Sequence, residues 1–176
     1  YDALTYAGHE ANLEGLPHPE RHRFVHADIT DAAAVRRAVR EFAPHAVVNI
    51  AAETHVDQSL EEAATFVRTN VLGAQVLVDV CREEGLRLVH VSTDEVYGDL
   101  PAPAMATPTT SLAPSSPYAA STAAADLLLL AAVRSHGSDV VITRCTNNYG
   151  PRQLPEKLIP LMVLRARAGK TLPVYG

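Results

Sequence analysis

The sequence predicts an α/β fold built on a parallel sheet, and two observations lead to this prediction. Short apolar runs alternate four times with longer segments whose apolar residues have helical spacing. Residues that end helices, such as Pro44 and Gly85, separate these segments. Strands that alternate with helices form βαβ units, whose strands run parallel and whose crossovers are right-handed.

Each element follows from local signals. The first strand is predicted at 23–27, and Thr30 or Asp31 is placed to cap a helix that Pro44 ends. The later elements are a strand covered on both faces at 46–50, a helix at 60–84 with a break near 69–70, a strand at 86–91, a Pro-rich loop at 101–117, a helix at 118–135, a strand at 140–143, a helix at 155–168 and the start of a strand at 172–175.

Composition excludes several classes of protein. The 176 residues, 47% hydrophobic and 20% charged, suit a globular domain. No apolar run approaches the ~18 residues of a membrane span, and no signal peptide is visible. Two cysteines, Cys81 and Cys145, are too few for a disulfide framework, which favours the cytoplasm. The net charge of −5 argues against nucleic acid or anionic membrane as a partner.

Polar residues follow all four predicted strands. They are Asp28, residues 51–57, residues 92–98 and residues 145–150. In an open parallel sheet, ligands bind beyond the carboxyl ends of the strands. Four polar clusters at this edge therefore predict a ligand site.

Two features of the polar clusters suggest acid–base chemistry. Asp94 and Glu95 are adjacent at a strand end and could act as separate acid and base, or form a solvated turn. Tyr118 begins a helix and could present its hydroxyl to a cleft, or pack its ring on the core. His18, His22 and His26 do not share a helical face, so we expect no metal site. Residues 127–130, all leucine, predict a buried helix face or a paired-helix interface.

The motifs together resemble the dTDP-glucose 4,6-dehydratases of the extended short-chain dehydrogenase/reductase superfamily. They occur in family order over essentially the whole chain and comprise residues 4–8, 51–57, 92–98, 115–118, 147–151 and 155–160. The resemblance implies a Rossmann-like doubly wound parallel sheet, bound NAD, a nucleotide-linked hexose as substrate and a homodimer.

The family's chemistry can be placed on this sequence. The resemblance implies that Tyr118 takes the proton of the sugar 4-hydroxyl, that Glu95 removes the C5 proton and that Asp94 protonates the departing 6-hydroxyl. Thr93 would hydrogen-bond the sugar. The resemblance also implies cofactor contacts by Asp2, Thr5, Asp28, Ile29, Ala51, Ala52, Thr69, Tyr118, Thr122 and Asn148, and substrate contacts by Thr54, Thr93, Asn147, Lys157, Leu158, Pro173 and Tyr175.

The sequence departs from the family in two ways. Thr122 stands where the family has lysine, four residues after the tyrosine, and that lysine lowers the tyrosine pKa. There is also no Gly-x-Gly, so we expect the first βα unit to be lacking, along with most of the C-terminal substrate lobe. On this interpretation residues 1–150 are an incomplete NAD-binding domain, and residues 151–176 begin the sugar-nucleotide lobe.

Three functions remain open from the sequence. The first is a dTDP-glucose 4,6-dehydratase whose oxidation step is weakened by Thr122. The second is another enzyme of the superfamily, such as an epimerase or decarboxylase, which the triplet Thr93–Asp94–Glu95 disfavours. The third is a non-catalytic relative that binds a nucleotide sugar, which Thr122 favours.

Overall fold

A computed structural model describes residues 1–173 of the chain. It divides the chain into two compact units. The first unit contains residues 1–3 and 23–146, and the second contains residues 4–22 and the segment from 147 onward. The first unit carries the sheet and most of the helices, so it holds the predicted strand-end clusters apart from residues 147–150, which belong to the second unit.

The first unit alternates strands and helices. Its strands are β1 (Ala46–Asn49), β2 (Arg87–Thr93) and β3 (Val140–Cys145), and its helices are α1 (Ala32–Phe42), α2 (Val56–Glu61), α3 (Ala63–Phe66), α4 (Gly73–Glu84) and α5 (Pro117–His136). A π-helical segment, Val67–Leu72, joins α3 to α4, and a single 3₁₀ turn, Asp94–Tyr97, follows β2. The expected irregularity near residues 69–70 is this π-helical segment.

The sheet is parallel, with β2 between β1 and β3. In its register, Asn49 pairs with His90, and Thr93 pairs with Cys145. The core lies on the face of β2 that carries Leu88, where Val78, Val80 and Leu129 of α4 and α5 pack. This arrangement confirms the predicted α/β class.

Two helix ends follow the predicted capping residues, Asp31 and Gly85, whereas the cap of α5 lies in the segment predicted as a loop. Asp31 is the N-cap of α1, and its carboxylate accepts hydrogen bonds from the amides of Ala33 and Ala34, both at 3.0 Å. Gly85 ends α4 in the left-handed conformation, with φ of 68°. Ser116 caps α5 by accepting a hydrogen bond from the Ala119 amide at 3.1 Å, and Pro117 occupies the first position.

Three predicted elements differ from the structure. The strand at 23–27 is only an isolated parallel bridge between Asp2 and His26, because no longer ladder forms on either side within residues 1–173. The last helix, α6, spans Leu158–Arg167 rather than 155–168, since the three residues before it form a turn and a bend. The strand start at 172–175 is absent at residues 172–173, and its remainder lies outside the described residues.

The prediction of a strand covered on both faces was wrong, and the leucine run is buried at one position only, which leaves its alternative as a paired-helix interface open. Val48 of β1 is 57% exposed, because α4 and α5 both pack against the opposite face of the sheet. In the leucine run only Leu129 is buried, whereas Leu127 is 59% exposed. A helix turns by about 100° per residue, so four consecutive leucines cannot all face one core.

The second unit contains α6 and two short 3₁₀ helices, Glu10–Leu13 and Pro19–Arg21. The guanidinium of Arg152 donates hydrogen bonds to the carbonyls of Asn12 and Glu14. The Tyr6 hydroxyl donates to the Glu156 carboxylate at 3.2 Å. These contacts join the two chain segments that make up this unit.

Gly98 ends the turn after β2, and we predict that it cannot be replaced. Its φ of 66° and ψ of −159° favour glycine, and an added Cβ would lie 2.1 Å from the Ala113 carbonyl oxygen. We expect Gly98→Ala to lower the free energy of unfolding by about 3 kcal/mol or more. Denaturant unfolding measures this change.

The matched control is Gly85→Ala. Gly85 has the same positive φ, but an added Cβ there meets open space. We expect this change to cost about 1 kcal/mol. Equal losses of stability in the two variants would contradict the importance of the Ala113 contact.

Candidate active site

The turn after β2 brings the predicted acid–base residues together. Thr93 is the last residue of β2, and its hydroxyl accepts a hydrogen bond from the Glu95 amide at 3.3 Å. Asp94 and Glu95 are both half-buried rather than solvated as in an open turn. Asp94 also lines a cavity of about 710 Å³ together with Arg144 and Thr146. Both carboxyls are therefore held at the end of β2, and Asp94 faces the cavity.

Tyr118 lies in the first turn of α5, beside the residues that follow β2. Its ring makes an edge-on contact with Phe66, with ring centroids 6.4 Å apart. Burial raises the pKa of Tyr118, and the charges of Glu95 and Asp94 raise it further. A side-chain hydrogen bond with Thr93 acts in the opposite direction. The phenol of Tyr118 therefore lies close to Thr93, Asp94 and Glu95.

Thr122 is buried one turn along α5 from Tyr118. Its hydroxyl donates a hydrogen bond to the Tyr118 carbonyl at 3.1 Å, within the helix. A neutral hydroxyl bonded to the backbone supplies no positive charge to the phenol. The raised pKa of Tyr118 makes the tyrosinate scarce near neutral pH, so the phenol is a weak base here.

Asn70 connects two parts of the site, and the sequence analysis did not identify it. Its Oδ1 accepts from the Glu53 amide at 2.8 Å, and its Nδ2 donates to the Glu53 carbonyl at 3.0 Å. The same Nδ2 donates to the Ser121 hydroxyl at 2.9 Å. Ser121 in turn donates to the Tyr118 carbonyl at 2.8 Å. This chain of bonds fixes the loop after β1 to the first turns of α5.

One signal in the sequence could have identified Asn70. It lies in the π-helical segment, where the sequence already predicts a break, and such segments occur frequently at functional sites. The extra residue in the turn changes which side chains face inward. Asn70 is consequently buried, at 5% exposure, although asparagine is usually exposed in helices.

Three of the predicted cofactor residues line one groove of the first unit. Asp2, Ile29 and Ala51 contribute to its wall, and its volume is about 490 Å³. Ile29 also packs into the core against Gly73, where an added Cβ would lie 2.4 Å from its side chain. An acidic residue beside apolar ones fits the adenosine half of a dinucleotide, whose ribose hydroxyls bind carboxylates.

The other predicted residues of the first unit lie on loops and on the π-helical segment. Asp28 accepts a hydrogen bond from the Thr30 amide at 2.8 Å and caps its own turn. Ala52 and Thr54 lie in the loop after β1, next to Glu53, which Asn70 holds by two hydrogen bonds. Thr69 is half-buried and precedes Asn70 in the π-helical segment. The Ala51 amide is held by the Asn49 side chain at 3.2 Å.

The remaining predicted residues belong to the second unit. Lys157 is the N-cap of α6, and its Nζ lies 3.5 Å from the Glu156 carboxylate. Leu158, the first residue of α6, is 61% exposed. Thr5, Asn147, Asn148 and Pro173 also lie in this unit, and Tyr175 lies outside the described residues.

The structure gives three further findings, on metal ligands, membrane spans and cysteines. Within residues 1–173, no group of three or more His, Cys, Asp or Glu side chains could hold a metal ion. None of the helices in the same range combines the length and hydropathy that crossing a bilayer would require. Cys81 and Cys145 are both free thiols.

Known proteins resemble this chain over nearly all of its length. A dTDP-glucose 4,6-dehydratase from Streptomyces niveus is 52% identical over 177 residues, which cover 99% of this chain and 52% of the relative. The crystal structure of DesIV, a dTDP-glucose 4,6-dehydratase from Streptomyces venezuelae with NAD bound, matches with a TM-score of 0.94 at 51% identity, covering 99% of this chain and 54% of that one.

A UDP-glucose 4-epimerase from Thermus thermophilus, in complex with NAD, is more distant. It matches with a TM-score of 0.76 at 37% identity and covers 85% of this chain and 49% of that one.

The chain spans about half the length of the curated relatives it matches. The sequence model of GDP-mannose 4,6 dehydratase matches residues 1–176. The chain therefore belongs to the GDP-mannose 4,6 dehydratase family and has the Rossmann-like fold of the dTDP-glucose 4,6-dehydratases.

Proposed function

We propose that this chain is part of an enzyme that removes water from a nucleotide-linked hexose, with dTDP-glucose as substrate, dTDP-4-keto-6-deoxyglucose as product and NAD as cofactor. The observation that carries the proposal is the grouping of Thr93, Asp94 and Glu95 with Tyr118. Elimination across C5 and C6 needs an acid and a base beside one sugar ring, and these residues supply both.

The proposed reaction assigns each proton to a residue. Tyr118 takes the proton of the 4-hydroxyl while the C4 hydrogen leaves as hydride, and the ketone formed acidifies the C5 hydrogen. Glu95 removes the C5 proton, Asp94 protonates the 6-hydroxyl, and water leaves. When bound, NAD would be the acceptor for the hydride that leaves C4 and the donor of the hydride that C6 receives. Glu95 then returns its proton to C5, and the proton on Tyr118 replaces the one that Asp94 lost.

The binding residues form the second part of the proposal. Asp2, Thr5, Asp28, Ile29, Ala51, Ala52, Thr69, Thr122 and Asn148 would hold NAD, supported by the groove that Asp2, Ile29 and Ala51 line. Thr54, Asn147, Lys157, Leu158, Pro173 and Tyr175 would hold the nucleotide sugar. Residues 1–150 would then form the cofactor domain, and residues 151–176 would begin the substrate lobe. Two free thiols favour a cytoplasmic location.

The proposal is tested by incubating the complete gene product that carries these residues with NAD and dTDP-glucose. We expect a 4-keto sugar that is lighter than the substrate by one water, detected by mass spectrometry. Glu95→Gln should abolish its formation, because an amide cannot accept the C5 proton. Bound NAD without turnover would indicate the non-catalytic alternative, and an isomer of unchanged mass would indicate an epimerase.

Thr122→Lys is predicted to raise turnover by about tenfold or more. An ammonium group one helical turn from Tyr118 would lower the pKa of the phenol, which burial now raises. More tyrosinate would then be present at neutral pH. The activity of the parent chain should still be rising at alkaline pH, and the variant should reach its plateau at lower pH.

The control for this prediction is Ala120→Lys. Ala120 is exposed on the same helix, so this change adds the same charge away from the site. We expect the parent activity and the parent pH profile. Equal gains from both lysines would show that the position of the charge has no importance.

Asn70→Asp is predicted to loosen the loop after β1. A carboxylate cannot donate to the Glu53 carbonyl or to the Ser121 hydroxyl, so two buried hydrogen bonds are lost. We expect NAD affinity, measured by calorimetry, to fall by about tenfold, and the free energy of unfolding to fall by about 2–4 kcal/mol. The matched change Gln75→Glu removes the hydrogen bond that Gln75 donates to Asp79 within α4, and it leaves the bonds of Asn70 to Glu53 and Ser121 in place. Equal NAD affinity in the two variants would contradict the prediction.

We also propose that the protein forms a homodimer through α5 and the neighbouring helical segments. Leu127 on α5 is exposed, as are Val67 and Leu72 of the π-helical segment that packs against α5. We expect a dimer in analytical ultracentrifugation and a monomer for Leu127→Glu, because a buried unpaired carboxylate opposes association. A dimer that this change does not weaken would contradict the proposed interface.

A further inference from the structure

Asp126 is a fully buried carboxylate that the proposed reaction does not use. It lies on α5, and its Oδ2 accepts two hydrogen bonds from different strands. The Ser92 hydroxyl of β2 donates at 3.1 Å, and the Arg144 Nε of β3 donates at 2.8 Å. One oxygen atom therefore joins the helix to two neighbouring strands of the sheet.

The same bonds lead to both ends of the 3₁₀ turn Asp94–Tyr97, which carries the proposed acid and base. Ser92 immediately precedes Thr93, which caps the turn. At the other end, Arg144 Nη1 donates to the hydroxyl of Tyr97, the last residue of the turn, at 2.8 Å. The Arg144 guanidinium also lies 5.1 Å from the centroid of the Tyr97 ring. The turn is thus connected to Asp126 at its start through Ser92 and at its end through Arg144.

On the helix side, Asp126 is rigidly related to Tyr118. It follows Thr122 by four residues and Tyr118 by eight, so the three residues lie near one another on the same side of α5. At a rise of 1.5 Å per residue, Asp126 is about 12 Å along the axis from Tyr118. A helix transmits displacement over this distance with little bending, so moving Asp126 relative to β2 moves Tyr118 relative to Thr93.

We propose that Asp126 is a positioning residue that sets the separation between the Tyr118 hydroxyl and the turn that carries Asp94 and Glu95. The inference rests on the proposed function. It differs from a general stabilising role, because a buried ion pair contributes little net stability compared with apolar packing. What Asp126 supplies is directed bonds to the two segments whose spacing the reaction requires.

The test uses variants that each remove one of these connections and leave the Asp126–Arg144 ion pair in place. Ser92→Ala removes the bond at the start of the turn, and Tyr97→Phe removes the bond at its end. We expect each to lower kcat for the 4-keto sugar by about tenfold to a hundredfold. KM should change by less than about twofold, since no substrate contact is lost.

The matched control is Arg87→Lys. Arg87 is the first residue of β2, and Asp139 immediately precedes β3, so their ion pair lies at the end of the strand pair that is remote from the turn. Arg87 Nε lies 3.0 Å from Asp139 Oδ2. This change perturbs the β2–β3 pair without touching the turn. We expect kcat and KM of the parent. A fall in kcat equal to that of Ser92→Ala would overturn the proposal.

A second measurement is independent of turnover. The hydrogen bond with Thr93 lowers the pKa of Tyr118, so displacing Thr93 should raise that pKa further. Titration by NMR, with ¹³C-labelled tyrosine and Tyr118→Phe for assignment, should show an upward shift in Ser92→Ala and none in Arg87→Lys. If the Tyr118 pKa rises in Ser92→Ala but neither the parent nor any variant forms the 4-keto sugar, the positioning role is supported and the proposed function is contradicted. An unchanged Tyr118 pKa with kcat falling only as the folded fraction falls would overturn the positioning role.

Discussion

The parallel pairing of β2 with both of its neighbours is the constraint on which the site depends. Parallel strands end at the same edge of a sheet, so the pairing of Thr93 with Cys145 brings the carboxyl ends of β2 and β3 to one edge. The residues after β2 then turn at once into a 3₁₀ helix, which keeps Asp94 and Glu95 at this edge. Because α5 packs across β2 and β3, Tyr118 at its first turn meets the same edge.

Buried polar groups make this packing specific. The helix-facing side of the sheet carries Asn49, His90 and Ser92 among apolar residues, and Asn49 Nδ2 lies 3.0 Å from His90 Nδ1. Buried polar groups require partners, and in the observed placement of α5 the Oδ2 of Asp126 accepts from Ser92 and Arg144 on the strands. Burial lowers the pKa of His90, with the nearby Asp126 acting in the opposite direction, so the ring is neutral near pH 7. An apolar interface of similar size would permit the helix to slide.

The chemistry of the site depends on what surrounds one phenol. The surroundings of Tyr118 favour the neutral form of its phenol, because burial and the two nearby carboxylates of Glu95 and Asp94 all raise its pKa. Thr122 donates its hydroxyl to the Tyr118 backbone and leaves this balance uncorrected. The site therefore combines two carboxyls beside a tyrosine with surroundings that keep the phenol protonated, which is why the proposed oxidation step depends on the residue at position 122.

The sequence by itself determined the α/β class and the helix caps at Asp31 and Gly85, because these depend on local patterns and short motifs. It predicted α1 and β2 closely, and the motif containing Asp94 and Glu95 carries the resemblance on which the proposed reaction rests. The tertiary structure alone decided the roles of Asn70, Asp126 and Arg144. Their partners are 17 to 51 residues away in sequence, and whether a polar side chain is buried depends on how helices cross the sheet. The exposure of Val48 and Leu127 was likewise decided by packing, because an apolar run does not specify which of its faces a neighbouring element covers.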